Sequence, residues 1–335
     1  MEDTNTDSTK INEDHNLKLI KTLWGIDEPI SSSLFKSIKE EGYHGVEVIR
    51  LAWLSDEDQK LLIRSLNEAN LAVVLQVHTA GGYLNNIGEY IYCGAYNVEA
   101  HKLDFQKQLQ ECKGLLNKVS AGASDGAGGD SFINVHAGVD AWSRDEALEF
   151  LNFCLDEIEK EAPTIKVTFE THRQRLFGSP FQTRDLLSCM KADTSMNMTS
   201  SRPELKLNAD LSHWYCACER VFNANDDRDK QWWPDLVSSL SERCEYIHAR
   251  FGWANGPQMA DPSAAECEAD RVLQMSVWKS LMDKQMERNG DVFISPEYGP
   301  NPYMAVMPHT QEAVSSLPAA VSFTKKVIEE LYAEK

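Results

Sequence analysis

Short apolar runs rich in β-branched residues alternate eight times with longer amphipathic stretches along this chain. We predict that the runs are strands and that each following stretch is helical. The predicted strands span 17–24, 45–52, 71–78, 131–138, 164–172, 205–213, 244–252 and 291–299. Strands that alternate with helices pair in parallel through right-handed crossovers. Eight such units predict an α/β protein with a single (β/α)8 TIM barrel.

Two other architectures were weighed against the barrel. A length of 335 residues allows two domains, and the same alternation fits a doubly wound open sheet. However, no GxGxxG follows the first predicted strand, and no GxxxxGK[ST] occurs anywhere in the chain. We therefore predict one barrel over residues 17–335, preceded by a disordered acidic tail at 1–16. This tail lacks the basic and apolar regions of a secretory signal.

The final unit contains a local conflict. The stretch 310–335 has a helical pattern and predicts the closing helix of the barrel. Pro318 interrupts the pattern, because proline has no N–H and clashes with the preceding turn. We expect the helix to be split or kinked there.

Charge and cysteine content narrow the classes of function. The 33 basic and 52 acidic residues give a net charge of −19, which disfavours binding to a phosphate backbone. No run of 18 apolar residues predicts a membrane span. The eight cysteines form no CxxC pair and are expected to be reduced thiols. These features predict a cytoplasmic protein with no nucleic-acid or membrane partner, and they are compatible with a homo-oligomer.

Ionisable residues cluster where the predicted strands end. In a TIM barrel the carboxyl ends of all strands meet at one mouth, where active sites lie. Carboxylates are almost never fully buried without a partner, so packing alone does not explain this pattern. The residues are His78, His136, Glu170, His172, Asp210, His213, His248, Arg250 and Glu297.

The composition of this cluster favours a divalent metal ion. Two glutamates, an aspartate and a histidine suit Mg²⁺, Mn²⁺, Co²⁺ or Zn²⁺. Without a cation, three carboxylates at one mouth would repel one another and raise each other's pKa. A bound cation removes that conflict.

Four segments resemble one known superfamily. ETHRQR (170–175), ADLSHW (209–214), HARFGWANGPQ (248–258) and PEYGPNPYM (296–304) are similar to xylose isomerase-like TIM barrels, a superfamily of sugar isomerases, sugar epimerases and endonuclease IV. More narrowly, they resemble bacterial proteins named sugar phosphate isomerase/epimerase. The resemblance extends from about residue 17 to 335.

The resemblance implies roles for particular residues. It implies a metal held by Glu170, Asp210, His248 and Glu297. In the epimerase branch it also implies that Glu170 and Glu297 act as acid and base on opposite sides of the substrate. His213 would contact the substrate or a metal ligand, and Arg250 would anchor a substrate oxygen or carboxylate.

Further residues could bind a sugar. His78 and His136 could be substrate-contacting neutral imidazoles or ligands of a second metal ion, and His172 could face the mouth or orient Glu170. Trp24 could form an apolar wall or belong to the core. Among Trp142, Trp214 and Trp253, which follow strand ends, at least one is expected to line the pocket, and Trp253 is our candidate.

We therefore predict a metal-dependent isomerase or epimerase acting on a sugar or sugar phosphate. Such a reaction removes a proton from the carbon beside a carbonyl group. A metal ion can polarise the carbonyl, and two carboxylates can remove and return the proton. A metal-dependent lyase or dehydratase acting on a polyol or keto acid could use the same site. A non-catalytic carbohydrate-binding barrel and an endonuclease IV-like enzyme are further alternatives. The endonuclease pattern needs a D-x-H pair after strand seven, where this chain has Asp261-Pro262-Ser263.

Overall fold

Eight parallel strands form a closed barrel surrounded by helices, which confirms the predicted α/β TIM barrel. The computed structural model describes residues 17–80, 83–84, 90–91, 96–122, 127–196 and 203–334. The tail predicted at 1–16 lies outside the described residues. The barrel strands are β1 (Leu17–Thr22), β2 (Gly45–Val48), β3 (Ala72–His78), β6 (Phe132–His136), β7 (Val167–Glu170), β8 (Lys206–Ala209), β9 (Cys244–His248) and β10 (Val292–Ser295).

The remaining two strands form a small separate sheet. They are β4 (Tyr83–Leu84) and β5 (Tyr90–Ile91), which pair antiparallel between β3 and the next helix. The sequence analysis did not predict this hairpin.

The helices cover the outside of the barrel. They are α1 (Ser32–Glu40), α2 (Asp56–Ala69), α3 (Val98–Gly122), α4 (Arg144–Glu161), α5 (Pro180–Met196), α6 (Ser212–Ala217), α7 (Trp233–Ser241), α8 (Glu268–Asn289) and α9 (Leu317–Ala333). Helices α2 and α4 begin at serine caps: the Ser55 and Ser143 side chains accept hydrogen bonds from backbone N–H groups of these helices. Across the described ranges, no helix is long and apolar enough to span a bilayer.

The closing helix differs from its prediction. Helix α9 starts at Leu317, with Ser316 as N-cap and Pro318 in the first turn, so residues 310–316 are not helical. The prediction of a helix from 310 with a kink at Pro318 was wrong. Proline is tolerated in a first turn because its missing N–H has no intrahelical partner there.

Strand periodicity divides the core into two parts. Outward-facing side chains pack against the helices in one large cluster that surrounds the barrel. Inside the barrel, a second cluster contains Ile20, Val74, Phe132, Tyr246 and Phe293, all buried. Because side chains alternate faces, residues two and four positions further along the same strands also point inward. These later positions are polar and lead toward the mouth of the barrel.

Candidate metal centre and substrate cavity

The first polar layer above the apolar cluster is organised around Glu47. This side chain on β2 is fully buried. Its carboxylate accepts hydrogen bonds from Gln76 Nε2 at 3.0 Å, from the Tyr246 hydroxyl at 3.1 Å and from His248 Nε2 at 2.9 Å. With Nε2 donating to Glu47, His248 presents Nδ1 to the mouth.

Glu170 ends β7 and lies among amide and imidazole groups. Its Oε2 accepts from Asn134 Nδ2 at 2.6 Å and Asn208 Nδ2 at 3.2 Å. The same oxygen is 3.0 Å from His136 Nε2 and 3.5 Å from His248 Nδ1. Burial by itself raises the pKa of Glu170, but His136 and His248 outweigh it and hold the pKa well below its usual range. Glu170 is therefore a carboxylate at neutral pH.

Glu297 approaches the same imidazole from β10. Its Oε2 lies 3.1 Å from His248 Nδ1 and 3.3 Å from Arg250 Nη1. Burial raises the pKa of Glu297, but His248 and Arg250 together lower it to about 2. Two ionised glutamates thus flank one imidazole nitrogen.

Asp210 follows β8 and binds Arg250 directly. The Arg250 Nη2 group donates to Asp210 Oδ2 and also to His213 Nε2 at 2.8 Å. The backbone N–H and hydroxyl of Ser212 donate to Asp210 Oδ1. Burial and the neighbouring carboxylates raise the pKa of Asp210 to about 6 against the opposing charge of Arg250.

A row of imidazoles follows the wall of the mouth. The β3–β6 register places His78 directly beside His136, and their rings stack with centroids 4.1 Å apart. The row continues to His172, 4.8 Å from His136, and to His213, 3.8 Å from His172. Burial lowers the pKa of His78, His172 and His213 well below the usual value. These three rings are therefore neutral at pH 7.

The charged groups and the imidazole row open into a cavity of about 640 Å³. This volume is in the range of small-molecule sites. Its lining combines Glu170, Glu297, Arg250, His78, His136, His172 and Gln76 with Trp24, Ile49, Trp53, Asn301, Pro302 and Tyr303. The cavity therefore has an ionic floor and an aromatic rim.

The rim is built from distant parts of the chain. Trp24 follows β1 and meets the Tyr303 ring edge-on at 4.7 Å. The Tyr303 ring also lies 4.9 Å from the Arg250 guanidinium. A rim of aromatic faces suits the C–H surfaces of a sugar-like ligand.

The donor set fits a divalent cation. Three carboxylates and one arginine give a net charge of −2 when His248 is neutral. Burial lowers the pKa of His248, but Glu297, Glu47 and Glu170 outweigh it and raise the pKa well above its usual value. A positive charge is therefore favoured between His248 Nδ1 and Glu297 Oε2, which are buried and 3.1 Å apart, and a divalent cation could supply it in place of a proton. Glu47 behind Nε2 completes the carboxylate–histidine arrangement common at metal sites.

Most of the predicted site residues come together. Glu170, Asp210, His248 and Glu297 converge around Arg250. One group that could hold a metal ion consists of Glu47, His248 and Glu297, and a second consists of Glu170, Asp210 and His213. A third group combines His136, Glu170 and His172. The structure gives the convergence of these side chains, and the roles assigned to them remain predictions.

The lining of this cavity differs from the tryptophan expectation. None of Trp142, Trp214 and Trp253 is among the residues that line the cavity in the described part of the chain. The Trp253 side chain is 45% exposed, and its backbone pairs with Gly256 in an isolated bridge. Trp24 and Trp53 both line the cavity, and the role of Trp24 in substrate binding remains a prediction.

Several site residues were missed from the sequence. Glu47, Gln76, Asn134 and Asn208 lie within the apolar runs, so the search of strand ends passed over them. Tyr303 stands six residues after Glu297, in the segment 296–304, and no role was predicted for it. For the residues within strands a signal was available: a polar residue two positions before an ionisable strand end points to the same face of the strand as that end.

Comparisons with known proteins agree with the fold. No protein-family profile and no curated protein sequence matches this chain. Among solved structures, the chain is similar to the IolI protein with a bound zinc atom, with a TM-score of 0.54 and 13% identity over 95% of this chain and 98% of that one.

Two further structures have similar scores. Endonuclease IV from Thermus thermophilus has a TM-score of 0.53 and 12% identity over 95% of this chain and all of its own. A xylose isomerase domain protein from Alicyclobacillus acidocaldarius has a TM-score of 0.52 and 13% identity over 95% and 98% of the two chains. At these identities the likeness shows a shared fold, which is the TIM barrel that the resemblance implied.

Proposed function

We propose that this protein is a divalent-metal-dependent isomerase or epimerase acting on a sugar or sugar phosphate. One observation carries the proposal. Glu170 and Glu297, both ionised, lie 3.5 and 3.1 Å from the same imidazole nitrogen and line one cavity. Two carboxylates that share a cavity can remove and return a proton at carbon.

The residues divide the work as follows. A divalent ion held by Glu170, Asp210, His248 and Glu297 would polarise a substrate carbonyl. Glu170 and Glu297 would exchange the carbon-bound proton, and Asn134 and Asn208 would fix Glu170 through their hydrogen bonds to Oε2. The aromatic rim would exclude water from the reacting carbon.

The imidazoles of the mouth would bind hydroxyl groups. His78, His136 and His172 line the cavity, and the neutral rings of His78 and His172 each offer one donor and one acceptor. This lining is chemically suited to a polyhydroxylated substrate. We propose His78 and His136 as substrate contacts on this ground.

The same site supports a second candidate function. Glu170 could take a proton from carbon and pass it to a departing hydroxyl group, which would leave as water, so that proton abstraction ends in elimination. The candidate is a lyase or dehydratase of a polyol or keto acid. Product analysis separates the two, because elimination changes the substrate formula by one water and epimerisation does not.

The geometry gives less support to an endonuclease. Asp261 is exposed, and its carboxylate accepts from the backbone and hydroxyl of Ser263 instead of facing the cavity. The chain also carries a net charge of −19. Incision of an abasic oligonucleotide would contradict our proposal.

The decisive experiment is hydrogen exchange at carbon. The purified protein, supplied with Mn²⁺ or Co²⁺, is incubated in D₂O with ketoses, aldoses and their phosphates. We expect deuterium beside the carbonyl of one substrate and a new isomer in the product. Glu170→Gln and Glu297→Gln should abolish exchange, whereas Glu312→Gln, an exposed carboxylate in the loop after Glu297, should not. Full exchange in either glutamine variant would exclude the paired-carboxylate mechanism, and lack of any metal binding would exclude the metal.

A further inference from the structure

Arg250 occupies the space between the predicted metal ligands. Its side chain is 2% exposed. The guanidinium donates to Asp210 Oδ2 and His213, and Nη1 is 3.3 Å from Glu297 Oε2. Its Nε donates to Ser212 Oγ at 3.1 Å. A single buried cation is thus bonded to two of the four groups that would hold a metal ion.

These contacts occupy three of the four acceptor positions of Asp210. Its Oδ1 receives two hydrogen bonds from Ser212, and its Oδ2 receives the charged bond from Arg250. A metal ion that binds Asp210 would therefore share Oδ2 with the Arg250 guanidinium. Metal binding and the present position of Arg250 are therefore in competition for the same oxygen.

Charge adds to this competition. A divalent ion that reached Asp210 and Glu297 together would lie against a guanidinium that contacts both. Like charges at such distances repel strongly in a buried site, where water screens them little. The four-ligand metal site and Arg250 in its observed position exclude each other.

The cavity offers Arg250 another position. The Arg250 side chain already lines the cavity, and its guanidinium lies 4.9 Å from the face of the Tyr303 ring. An aromatic face can stabilise a cation that has left its carboxylates. A guanidinium released from Asp210 would enter the space where a substrate binds.

We propose that Arg250 is a built-in competitor of the metal ion, and that metal binding releases its guanidinium from Asp210 and Glu297 toward the substrate cavity. Arg250 is thus a positioning residue that sets metal affinity and then faces the substrate. The proposal rests on the proposed function in that the incoming ion is its divalent metal. It predicts a metal affinity lower than the ligand set alone would give.

The test is calorimetric titration of the full-length protein with Mn²⁺ and with Co²⁺. Arg250→Met keeps an apolar stem of similar length and removes the charge, so we expect its metal affinity to rise about tenfold or more. Arg250→Lys keeps the charge but cannot bridge two carboxylates with one planar fork, so its affinity should lie between those of the other two proteins. The Co²⁺ absorption spectrum of Arg250→Met should indicate that Asp210 binds the ion, which gives one more protein ligand than Glu170, His248 and Glu297 supply.

Arg173→Met is the matched control. The Arg173 guanidinium also lies over the Tyr303 ring, at 5.2 Å, but its Nη1 donates a hydrogen bond to Cys216 Sγ. Removing it takes away a cation from the same mouth without freeing a metal ligand. Its effect on metal affinity should be much smaller than that of Arg250→Met.

The outcomes separate this proposal from the proposed function. Folded Arg250→Met with unchanged or weaker metal binding, in a protein whose native form binds metal, overturns the competition and leaves the function standing. Binding by Arg250→Met but not by the native protein supports the competition and contradicts a metal-dependent native enzyme. If neither binds, both fail. If Arg250→Met does not fold, Arg250→Lys decides, because unchanged or weaker binding there overturns the competition.

Discussion

At the scale of single residues, Glu47 determines which nitrogen of His248 can bind a cation. Because Nε2 donates to Glu47 at 2.9 Å, Nδ1 faces Glu170 and Glu297. A carboxylate behind a histidine also makes the imidazole a stronger ligand. Glu47 therefore contributes to the site without touching the cavity.

Replacing this carboxylate should weaken metal binding. We expect Glu47→Gln to fold, because glutamine has nearly the same shape, and to lower metal affinity about 10- to 100-fold. The reason is that an amide cannot provide the negative charge that supports His248. Metal titration of the native and variant proteins measures the change.

Tyr246→Phe provides the control for this prediction. It removes one hydrogen bond to Glu47, at 3.1 Å, and leaves the bond between Glu47 and His248 in place. Its loss of affinity should be well below that of Glu47→Gln. Equal affinity in Glu47→Gln and the native protein would show that Glu47 does not support the site.

Residues at strand ends could be predicted, and those within strands could not. Glu170 and Glu297 stand where polar character follows an apolar run, so the strand pattern itself marks them. Glu47 and Gln76 lie within short apolar runs. Whether their side chains point into the barrel or toward the helices depends on the strand register, which is known only from the folded structure. The contact of Arg250 with Asp210 was also beyond the sequence, since it depends on how β8 and β9 lie side by side.

At the scale of elements, the connection after β10 packs against the one after β1. A Cβ atom added to Gly299 would lie 2.2 Å from the Trp24 ring, which real structures do not allow. Glycine at this position therefore lets the β10 loop pass directly over Trp24. That close approach holds Trp24 in the cavity wall.

Gly299→Ala should displace the indole. We expect a loss of about 1–3 kcal/mol in the free energy of unfolding, as for other overpacked sites, and altered tryptophan fluorescence. Denaturant titration followed by fluorescence measures both. Gly114→Ala in α3 is the control: a Cβ there meets nothing within 4 Å, so it should be neutral or stabilise by about 0.5–1 kcal/mol. Unchanged stability and fluorescence in Gly299→Ala would contradict the packing argument.

The start of α9 gives a prediction of its own. The Ser316 hydroxyl accepts from the Ala319 backbone N–H at 3.3 Å, so Ser316→Ala should cost about 1 kcal/mol of unfolding free energy. Pro318→Ala should cost less, because Pro318 lies in the first turn and interrupts no helical hydrogen bond. Denaturant titration of the two variants compares them. A clear gain in unfolding free energy from Pro318→Ala would instead restore the idea of a structural break at proline.

At the scale of the whole molecule, ionisable groups lie at both ends of the barrel. The mouth collects the candidate catalytic groups. The opposite end holds Lys166, whose ammonium lies 3.6 Å from the Phe293 ring and 4.5 Å from that of Phe132. Burial lowers the pKa of Lys166 to about 8, although Glu245 and Asp130 oppose the shift.

This shift predicts a dependence of stability on pH. Between pH 8 and the unfolded pKa of 10.5, the unfolded chain keeps a proton on Lys166 that the folded protein has released. The free energy of unfolding therefore rises with pH across this window, by less than about 1.4 kcal/mol per unit because Lys166 is partly exposed. Lys166→Met should lose this rise, whereas Lys326→Met, at an exposed pair with Glu330, should keep it. Parallel pH profiles for the native protein and Lys166→Met would contradict the shift.

The architecture as a whole was more predictable than its details. All eight barrel strands were predicted, because alternation of β-branched runs and amphipathic helices leaves few topologies. The hairpin of β4 and β5 was missed, since two-residue strands have no period to detect. The same limit applies to residues 310–316, where a helical pattern without packing does not form a helix.

The buried apolar cluster inside the barrel has a consequence for the order in which ligands bind and leave. Phe132, Tyr246 and Phe293 fill the barrel beneath Glu47, so the ionic groups form the floor of a blind passage. Within the described residues, a cation and a substrate would then reach this floor from the same side, past Trp24, Trp53 and Tyr303. Whatever binds deepest must enter first and leave last. We therefore expect an obligatory order, in which a bound sugar blocks the exit of the ion beneath it and an early sugar delays the ion's arrival.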